Sequence, residues 1–247
     1  HQVRVKLLSL HIIYSILKNY TEVFEDKDHL IFNKNSDETT ILVDGIRKYL
    51  CLVISRNATS QLASVYEVTL DIYWLMIQNL RFEFKYEVPV FMDEIYFPLG
   101  EMKTSAPYQK RYILEVVRRI CCDPKILVEL YLNYDCDTSL PNLCEKIIDY
   151  LARLALIKVE GSIQNKKNFL AFQSTVKSLK DNSKVPELNS TRVSTTQINP
   201  DALLNFPNDY ALKVVSIDCI VSFLHSLNAA SASPLLIASS AEQSMVS

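Results

Sequence analysis

Glycine is scarce in this sequence, with three residues in a chain of 247. Tight turns with positive φ, β-barrels and the loops that cradle nucleotide phosphates all depend on glycine, so the low count argues against these structures. Long apolar runs are also lacking, because polar or charged residues interrupt each run before it reaches the roughly 18 positions of a membrane-spanning helix. We therefore expect a soluble chain.

Neither sign of charge is in marked excess. The 26 Lys and Arg residues nearly balance the 28 Asp and Glu residues, for a formal net charge of -2, and the pI is near 6.1. Because no basic stripe with interleaved aromatic residues is visible, nucleic acid is not an expected partner. Apolar residues make up 49% of the chain and charged residues 22%, proportions typical of a globular protein with a real core.

The cysteines lack the regular spacing of a secreted disulfide framework. They are Cys51, Cys121, Cys122, Cys136, Cys144 and Cys219. This scatter favours a reducing, cytosolic compartment. Zinc ligands usually come in C-x₂₋₄-C pairs, whereas neighbours on a helix such as Cys121 and Cys122 point about 100° apart. We predict buried thiols and no metal site.

Groups that could carry catalysis are sparse. The four histidines are His1, His11, His29 and His225. None stands in a recognisable nucleophile motif, and the G-x-S-x-G, P-loop and G-x-G-x-x-G patterns are missing from the sequence. The acidic run from Asp135 does not fit a calcium loop, because its sixth position is Leu140 and its twelfth is Lys146. We predict no catalytic residue and no cofactor.

Apolar residues recur at spacings of three and four along most of the chain, which is the period of a helix with one buried face. The predicted helices span residues 2–20, 41–53, 62–80, 88–97, 107–122, 126–134, 143–158 and 210–227. Pro98 and Gly100 are expected to close the fourth, and Asp123-Pro124 is a helix-start signal for the sixth. Helices of this length with short connections indicate an all-α fold, an α-solenoid of HEAT- or armadillo-like helix pairs.

The pattern weakens after residue 160. Residues 161–207 contain a weak helix near 164–179 and then a stretch rich in Ser, Thr, Asn and Pro, which we interpret as a loop or disordered insert. A closing helix is expected over 208–228 and an Ala/Ser-rich linker over 229–247. Because the chain opens at His1 inside an amphipathic pattern, we expect it to be a piece of a longer protein.

One short segment resembles a known family. The pentapeptide Asn133-Tyr134-Asp135-Cys136-Asp137 follows Ile120-Cys121-Cys122-Asp123-Pro124 and Leu127–Leu132, and together these resemble the HUS box, the "homology upstream" element of the large Golgi Arf guanine-nucleotide exchange factors. The stretches Arg47–Leu52, Phe84–Phe91 and Glu94–Phe97 resemble flanking segments of the same family. The likeness covers about residues 2–158, has a weaker echo at 210–227, and is closer to the trans-Golgi Sec-seven/BIG class than to the early-Golgi class.

The resemblance implies a non-catalytic regulatory and scaffolding region, residues 1–160, whose parent protein carries GDP–GTP exchange in a separate catalytic domain. It implies packing with the dimerisation-and-cyclophilin-binding (DCB) segment, contact with the catalytic domain, and recruitment to Golgi and trans-Golgi membranes from the cytosol through activated small GTPases of the Arf and Rab type. The alternative is a general α-solenoid adaptor or tether whose likeness to the HUS box reflects shared helix-pair packing alone.

Two roles for the pentapeptide stay open. Short polar side chains at a helix–helix turn can satisfy free backbone groups and clamp the turn. The same residues could contact a partner, and Tyr134 is the first candidate because tyrosine is enriched in interface cores. Elsewhere, the Arg118-Arg119 pair could face anionic lipid or simply be a solvated helix face. A run of aromatic residues could be core or could line a groove for a partner helix. Its members are Tyr66, Tyr73, Trp74, Phe82, Phe84, Tyr86 and Phe91.

Overall fold

The computed structural model describes residues 2–26, 30–33, 38–158 and 208–232. Its α-helices are α1 (Gln2–Asn19), α2 (Thr21–Glu25), α3 (Leu42–Asn57), α4 (Ala63–Asn79), α5 (Glu87–Val90), α6 (Phe97–Glu101), α7 (Pro107–Cys122), α8 (Pro124–Leu130), α9 (Leu143–Ala155) and α10 (Asn208–Ala232). Two π-helical segments, π1 (Phe91–Tyr96) and π2 (Tyr131–Asp135), and two strands, β1 (Leu30–Asn33) and β2 (Glu38–Ile41), complete the described elements.

Helix α4 lies at the centre of the N-terminal half. Its buried residues run almost without a break from Val65 to Ile77, and a helix that is apolar on every side is stable only when other elements surround it. Helices α1, α3 and α7 pack against it. The C-terminal half is built around α10, which packs against α7, α8 and α9. The all-α, helical-repeat prediction is therefore confirmed.

A small antiparallel hairpin is the main departure from the predicted fold. Strands β1 and β2 pair with Leu30 opposite Ile41 and Phe32 opposite Thr39, and they lie almost wholly between the first two predicted helices, 2–20 and 41–53. The hairpin leads directly into α3, where a Cβ atom at Gly45 would lie 2.9 Å from the Ile31 side chain. The Ile31 side chain of the hairpin thus lies against α3 at Gly45. This is a tertiary contact that the local sequence pattern does not show.

The fourth predicted helix is longer than expected, because Pro98 and Gly100 lie inside it rather than at its end. Elements α5, π1 and α6 follow one another from Glu87 to Glu101. The N–H of Phe97 bonds to the carbonyl of Met92, a π-type bond over five residues. The backbone ladder thus shifts register just before Pro98, which has no N–H to contribute.

Helix α10 corrects our expectation that no segment is apolar and long enough to cross a membrane. Within the described residues, one segment, Leu212–Ala232, meets that test by length and composition. Its inner face is buried in the protein through Leu212, Cys219 and Phe223, and Ser226 Oγ donates to the Cys121 carbonyl at 2.7 Å. The helix continues four residues into the predicted linker. The predicted weak helix and insert of 161–207, and the rest of the linker, lie outside the described residues.

Candidate functional site

The pentapeptide lies at the turn between α8 and α9. Its first three residues close π2, and Cys136 and Asp137 follow it. Helix α8 begins as the sequence predicts, because Asp123 Oδ1 accepts hydrogen bonds from the N–H groups of Lys125 and Ile126 at 3.0 and 3.1 Å. The segment from Asp123 to Asp137 is thus one helical unit that changes from α to π geometry at Tyr131. Such π-helical turns are frequent at functional sites.

Asp135 caps the next helix from outside it. Its two carboxylate oxygens accept hydrogen bonds from the N–H groups of Cys144 at 2.9 Å and Glu145 at 3.1 Å, which lie in the first turn of α9. The first N–H groups of a helix have no partner within it, and the positive end of the helix dipole favours a carboxylate there. These contacts are the ones that a turn clamp requires.

Replacing Asp135 with alanine should lower the free energy of unfolding by about 0.5–2 kcal/mol, because two N–H groups at the start of α9 lose their acceptor. Thermal or urea unfolding of the chain measures this. Asp135→Asn, which keeps one acceptor oxygen, should cost less than alanine. Equal stability of the alanine variant and the parent would contradict the turn-clamp role.

Asp137 links the turn to the segment that precedes α5. Its Oδ1 accepts from Ser139 Oγ at 2.6 Å and from the Ser139 N–H at 3.0 Å. Its Oδ2 lies 3.1 Å from Lys85 Nζ, in the segment before α5. The hydrogen bonds from Ser139, and then Lys85, lower the pKa of Asp137 to about 2, so the carboxylate is charged at any physiological pH.

Tyr134 does not reach the surface, which argues against its predicted role as the first partner contact. Its side chain is 1% exposed, and burial raises its pKa well above the usual value. The Asn133 side chain bonds back to its own helical segment, because its Nδ2 donates to the Glu129 carbonyl at 2.7 Å. Near the pentapeptide, the exposed side chains are Tyr131, which is 52% exposed, and Cys136.

Sequence reasoning missed a buried ion pair beneath the pentapeptide. Arg81, just after α4, pairs through Nη2 with Glu129 of α8, and the two side chains are 9% and 0% exposed. Arg81 Nη1 also donates to the Gln78 carbonyl, and the guanidinium lies 4.9 Å from the centre of the Phe82 ring. The sequence does place Arg81 and Glu129 each within an apolar run, which suggests that both are buried. It does not reveal that the two side chains meet.

The sequence segments that resemble the family contact one another. Arg47 of α3 lies 3.2 Å from Glu87 of α5 and 5.4 Å from the centre of the Phe84 ring. Lys146 of α9 forms an ion pair with Asp93 of π1. Together with Lys85–Asp137, these pairs join α3, the α5–π1 segment and the pentapeptide turn into one surface.

Comparison with known proteins gives the family of the chain. Residues 1–143 match the family described as the HUS domain of Mon2/Sec7/BIG1-like proteins. The chain belongs to the HUS-domain family. Among its relatives is the ADP-ribosylation factor guanine nucleotide-exchange factor SEC7 of Saccharomyces cerevisiae, 50% identical over 228 residues, which are 92% of this chain and 11% of that protein.

Two further relatives are more distant. The exchange factor sec72 of Schizosaccharomyces pombe is 35% identical over 91% of this chain and 12% of its own length. The brefeldin A-inhibited guanine nucleotide-exchange protein 1 of Rattus norvegicus is 31% identical over 63% of this chain and 8% of its own length. This HUS chain therefore corresponds to a small part of each relative. Its family decides against the alternative of an adaptor unrelated to exchange factors.

Arg118 and Arg119 of α7 in this HUS domain are engaged in ion pairs. Arg118 Nε lies 2.9 Å from Glu115 Oε2, and Arg119 Nη1 lies 3.1 Å from Asp71 Oδ1 of α4. Arg119 also stands 5.7 Å from the centre of the Trp74 ring. Since both guanidiniums already have carboxylate partners, the reading of this pair as a lipid-facing patch loses support.

Asp71 gives the HUS domain a pH-dependent stability. Burial, opposed by Arg119, raises the pKa of Asp71 to about 6. The folded chain therefore binds this proton more tightly than the unfolded chain does, so the contribution of Asp71 is greatest below about pH 4 and is lost as the pH rises through 6. Each pKa unit is worth about 1.4 kcal/mol, which makes the loss on the order of 3 kcal/mol.

The Asp71→Asn variant should lack the pH-dependent contribution that Asp71 makes to the free energy of unfolding. The difference in unfolding free energy between parent and variant, measured by urea unfolding at several pH values, should change between about pH 4 and pH 6 and be flat above that range. The comparison removes the contribution of other carboxylates, such as Asp137, which acts in the opposite direction. A difference that does not vary with pH would contradict the raised pKa.

The cysteines of the described part are all unpaired, and Cys121, Cys144 and Cys219 are buried. Burial raises the pKa of Cys121 to about 12 and that of the other two above their usual values. Thiols so far from ionisation are poor nucleophiles and poor metal ligands. In the described ranges, no three His, Cys, Asp or Glu side chains are grouped as a metal site requires.

Proposed function

We propose that this chain is a non-catalytic regulatory and scaffolding region of a large Arf guanine-nucleotide exchange factor. In this role it packs with the DCB segment and the catalytic domain of the parent protein, and it controls exchange without taking part in the chemistry. The observation that carries the proposal is the ion-paired surface formed by α3, the α5–π1 segment and the pentapeptide turn, within a chain that belongs to the HUS-domain family.

The outer face of α1 supports packing with a preceding helical segment. Its inner face contacts α4 through Leu10 and Leu17. On the outer face, Leu8 and Ile12 are 63% and 51% exposed, and Val5 and Ile16 extend the apolar stripe at helical spacing. A helix that is apolar on both faces is normally covered on both. The DCB segment is the partner that we assign to this stripe.

We place the parent protein on the cytosolic face of Golgi and trans-Golgi membranes, held there peripherally through activated small GTPases of the Arf and Rab type. Support comes from the relatives, which are named as exchange factors for ADP-ribosylation factor. Within the chain, Cys136 of the pentapeptide is exposed, and so is Tyr131 two residues before the pentapeptide, which makes this turn a candidate contact beside its clamp role. Tyr131 replaces Tyr134 as the side chain that a partner can reach.

The experiment that tests the proposal is Arf nucleotide exchange by the separately produced catalytic domain of the parent protein, on liposomes, with and without this chain. A changed exchange rate is expected, and Tyr131→Ala should abolish the change. Leu156→Ala serves as the matched control, because Leu156 is 79% exposed at the end of α9 and has no proposed role. An exchange rate that the chain does not alter would contradict the proposal.

A further inference from the structure

A shallow groove of about 270 Å³ lies on the surface between α3 and the α5–π1 segment. Most of its lining is apolar. Cys51 and Ser55 form the α3 side, and Tyr86, Val90, Phe91 and Ile95 form the other side. Pockets for small molecules and cofactors usually measure roughly 300–1,000 Å³ and enclose most of the ligand. This groove is smaller and open, so it suits a few anchoring side chains of a larger partner.

The groove has exposed apolar walls. Val90 and Tyr86 are 55% and 66% exposed, and they are four residues apart at the start of a helical segment. Phe91 is buried at the base. Single exposed apolar residues are ordinary, but two of them beside an apolar depression form the kind of patch that a partner covers. Tyrosine is also a favoured anchor at interfaces.

The groove also carries negative charge. Glu87 and Glu94 belong to its lining. Glu87 is balanced by Arg47 at 3.2 Å, whereas Glu94 is exposed and forms no ion pair within the described part of the chain. The Glu94 carboxylate beside apolar anchoring positions disfavours anionic lipid and favours a partner that carries Lys or Arg.

We propose that this groove binds a basic amphipathic helix of a partner protein. Apolar side chains spaced three or four residues apart enter the groove between Ser55 and Val90, and a Lys or Arg on the flank of the helix pairs with Glu94. This is the helix-in-groove mode of recognition. The inference rests on the proposed function as a regulatory region and names the kind of partner that this surface takes.

A designed peptide tests the inference on the whole chain. The probe is a fluorescein-labelled helical peptide of about 18 residues, long enough to hold a helix, with leucines three and four residues apart and lysines on both flanks. Fluorescence anisotropy gives its affinity. The matched probe has glutamate in place of each lysine. Val90→Lys and Ser55→Lys block the groove from opposite sides at exposed positions, Glu94→Lys reverses the charge, and Leu156→Lys is the control variant.

The basic peptide should bind the unsubstituted chain and the Leu156→Lys variant with equal affinity. Each groove variant should weaken binding by about tenfold or more, and Glu94→Lys should improve binding of the acidic peptide. Lack of binding to the parent chain, equal binding of the two peptides, or unaltered affinity in both Val90→Lys and Ser55→Lys would overturn the inference. A sedimentation coefficient of the parent chain that Val90→Lys lowers would assign the groove to a second copy and overturn it too. Failure here would leave the effect on Arf exchange standing, so the two proposals fail separately.

Discussion

Replacing Glu129 with alanine is expected to lower the free energy of unfolding by about 3–5 kcal/mol, because it removes one member of a buried ion pair and leaves the Arg81 charge in a site shielded from water. Both side chains are nearly inaccessible to water, so solvent cannot replace the lost charge. In a chain of this size the change corresponds to a fall in Tm of roughly 6–20 °C. Thermal unfolding followed by circular dichroism measures it.

Two controls separate the buried pair from charge in general. Lys125 lies 3.9 Å from the other Glu129 oxygen but is half exposed, so Lys125→Ala should cost less than about 1 kcal/mol. The double variant Arg81→Met/Glu129→Leu removes both charges and keeps apolar volume, and it should regain much of the stability that the single variant loses. A double variant as unstable as Glu129→Ala would refute the assignment of the loss to the broken Arg81–Glu129 pair.

The order and type of most helices could be predicted from the sequence because they depend on local pattern. The run from Val65 to Ile77 is apolar at nearly every position, and Asp123-Pro124 is a start signal whose cap bonds appear in the structure. The hairpin of β1 and β2 could not be predicted this way. Its Ile31 side chain lies against Gly45 of α3, and no local pattern encodes that contact.

The candidate site shows the same division. Its position at a helix–helix turn, and the use of Asp135 and Asp137 as acceptors, follow from short polar residues between two apolar runs. The orientation of Tyr134 does not follow, because π2 changes the rotation of the helix just before it. A regular α-helical count cannot assign a face to a residue within such a turn. Partners distant in sequence, such as Lys85 for Asp137, are fixed only by the tertiary fold.

The ion pairs around the turn also explain how a non-catalytic surface can hold a defined shape. Exposed pairs contribute little individually, and Lys85–Asp137 and Arg47–Glu87 are only partly buried. The buried Arg81–Glu129 pair fixes α8 against the end of α4, and the outer pairs then set the α5–π1 segment and the turn relative to that base. Substitutions in the buried Arg81–Glu129 pair should therefore affect stability, while substitutions in the partly exposed outer pairs should affect recognition.

Gly100→Ala is the second large effect that we expect, with a loss of about 3 kcal/mol in the free energy of unfolding. A Cβ atom at Gly100 would lie 3.0 Å from Cζ and 3.1 Å from Cε2 of Tyr150, and closer still to its hydroxyl oxygen. Tyr150 is fully buried and stacks on Phe97 with ring centres 4.6 Å apart. The ring therefore has little room to move away, and urea unfolding should record the strain.

A second variant shows whether the hydroxyl is the cause. The Tyr150 hydroxyl has no hydrogen-bond partner among the described residues, so Tyr150→Phe alone should be neutral or slightly stabilising, since a buried unpaired polar group costs free energy. Adding Tyr150→Phe to Gly100→Ala removes the closest contact and should restore about 1–2 kcal/mol, a coupling that a double-mutant cycle measures. Strictly additive effects would mean that Gly100 is needed for a reason other than the approach of Tyr150. A strong coupling would identify the glycine as the position that lets α9 pack closely against α6, beside the Lys146–Asp93 pair that joins α9 to the candidate site.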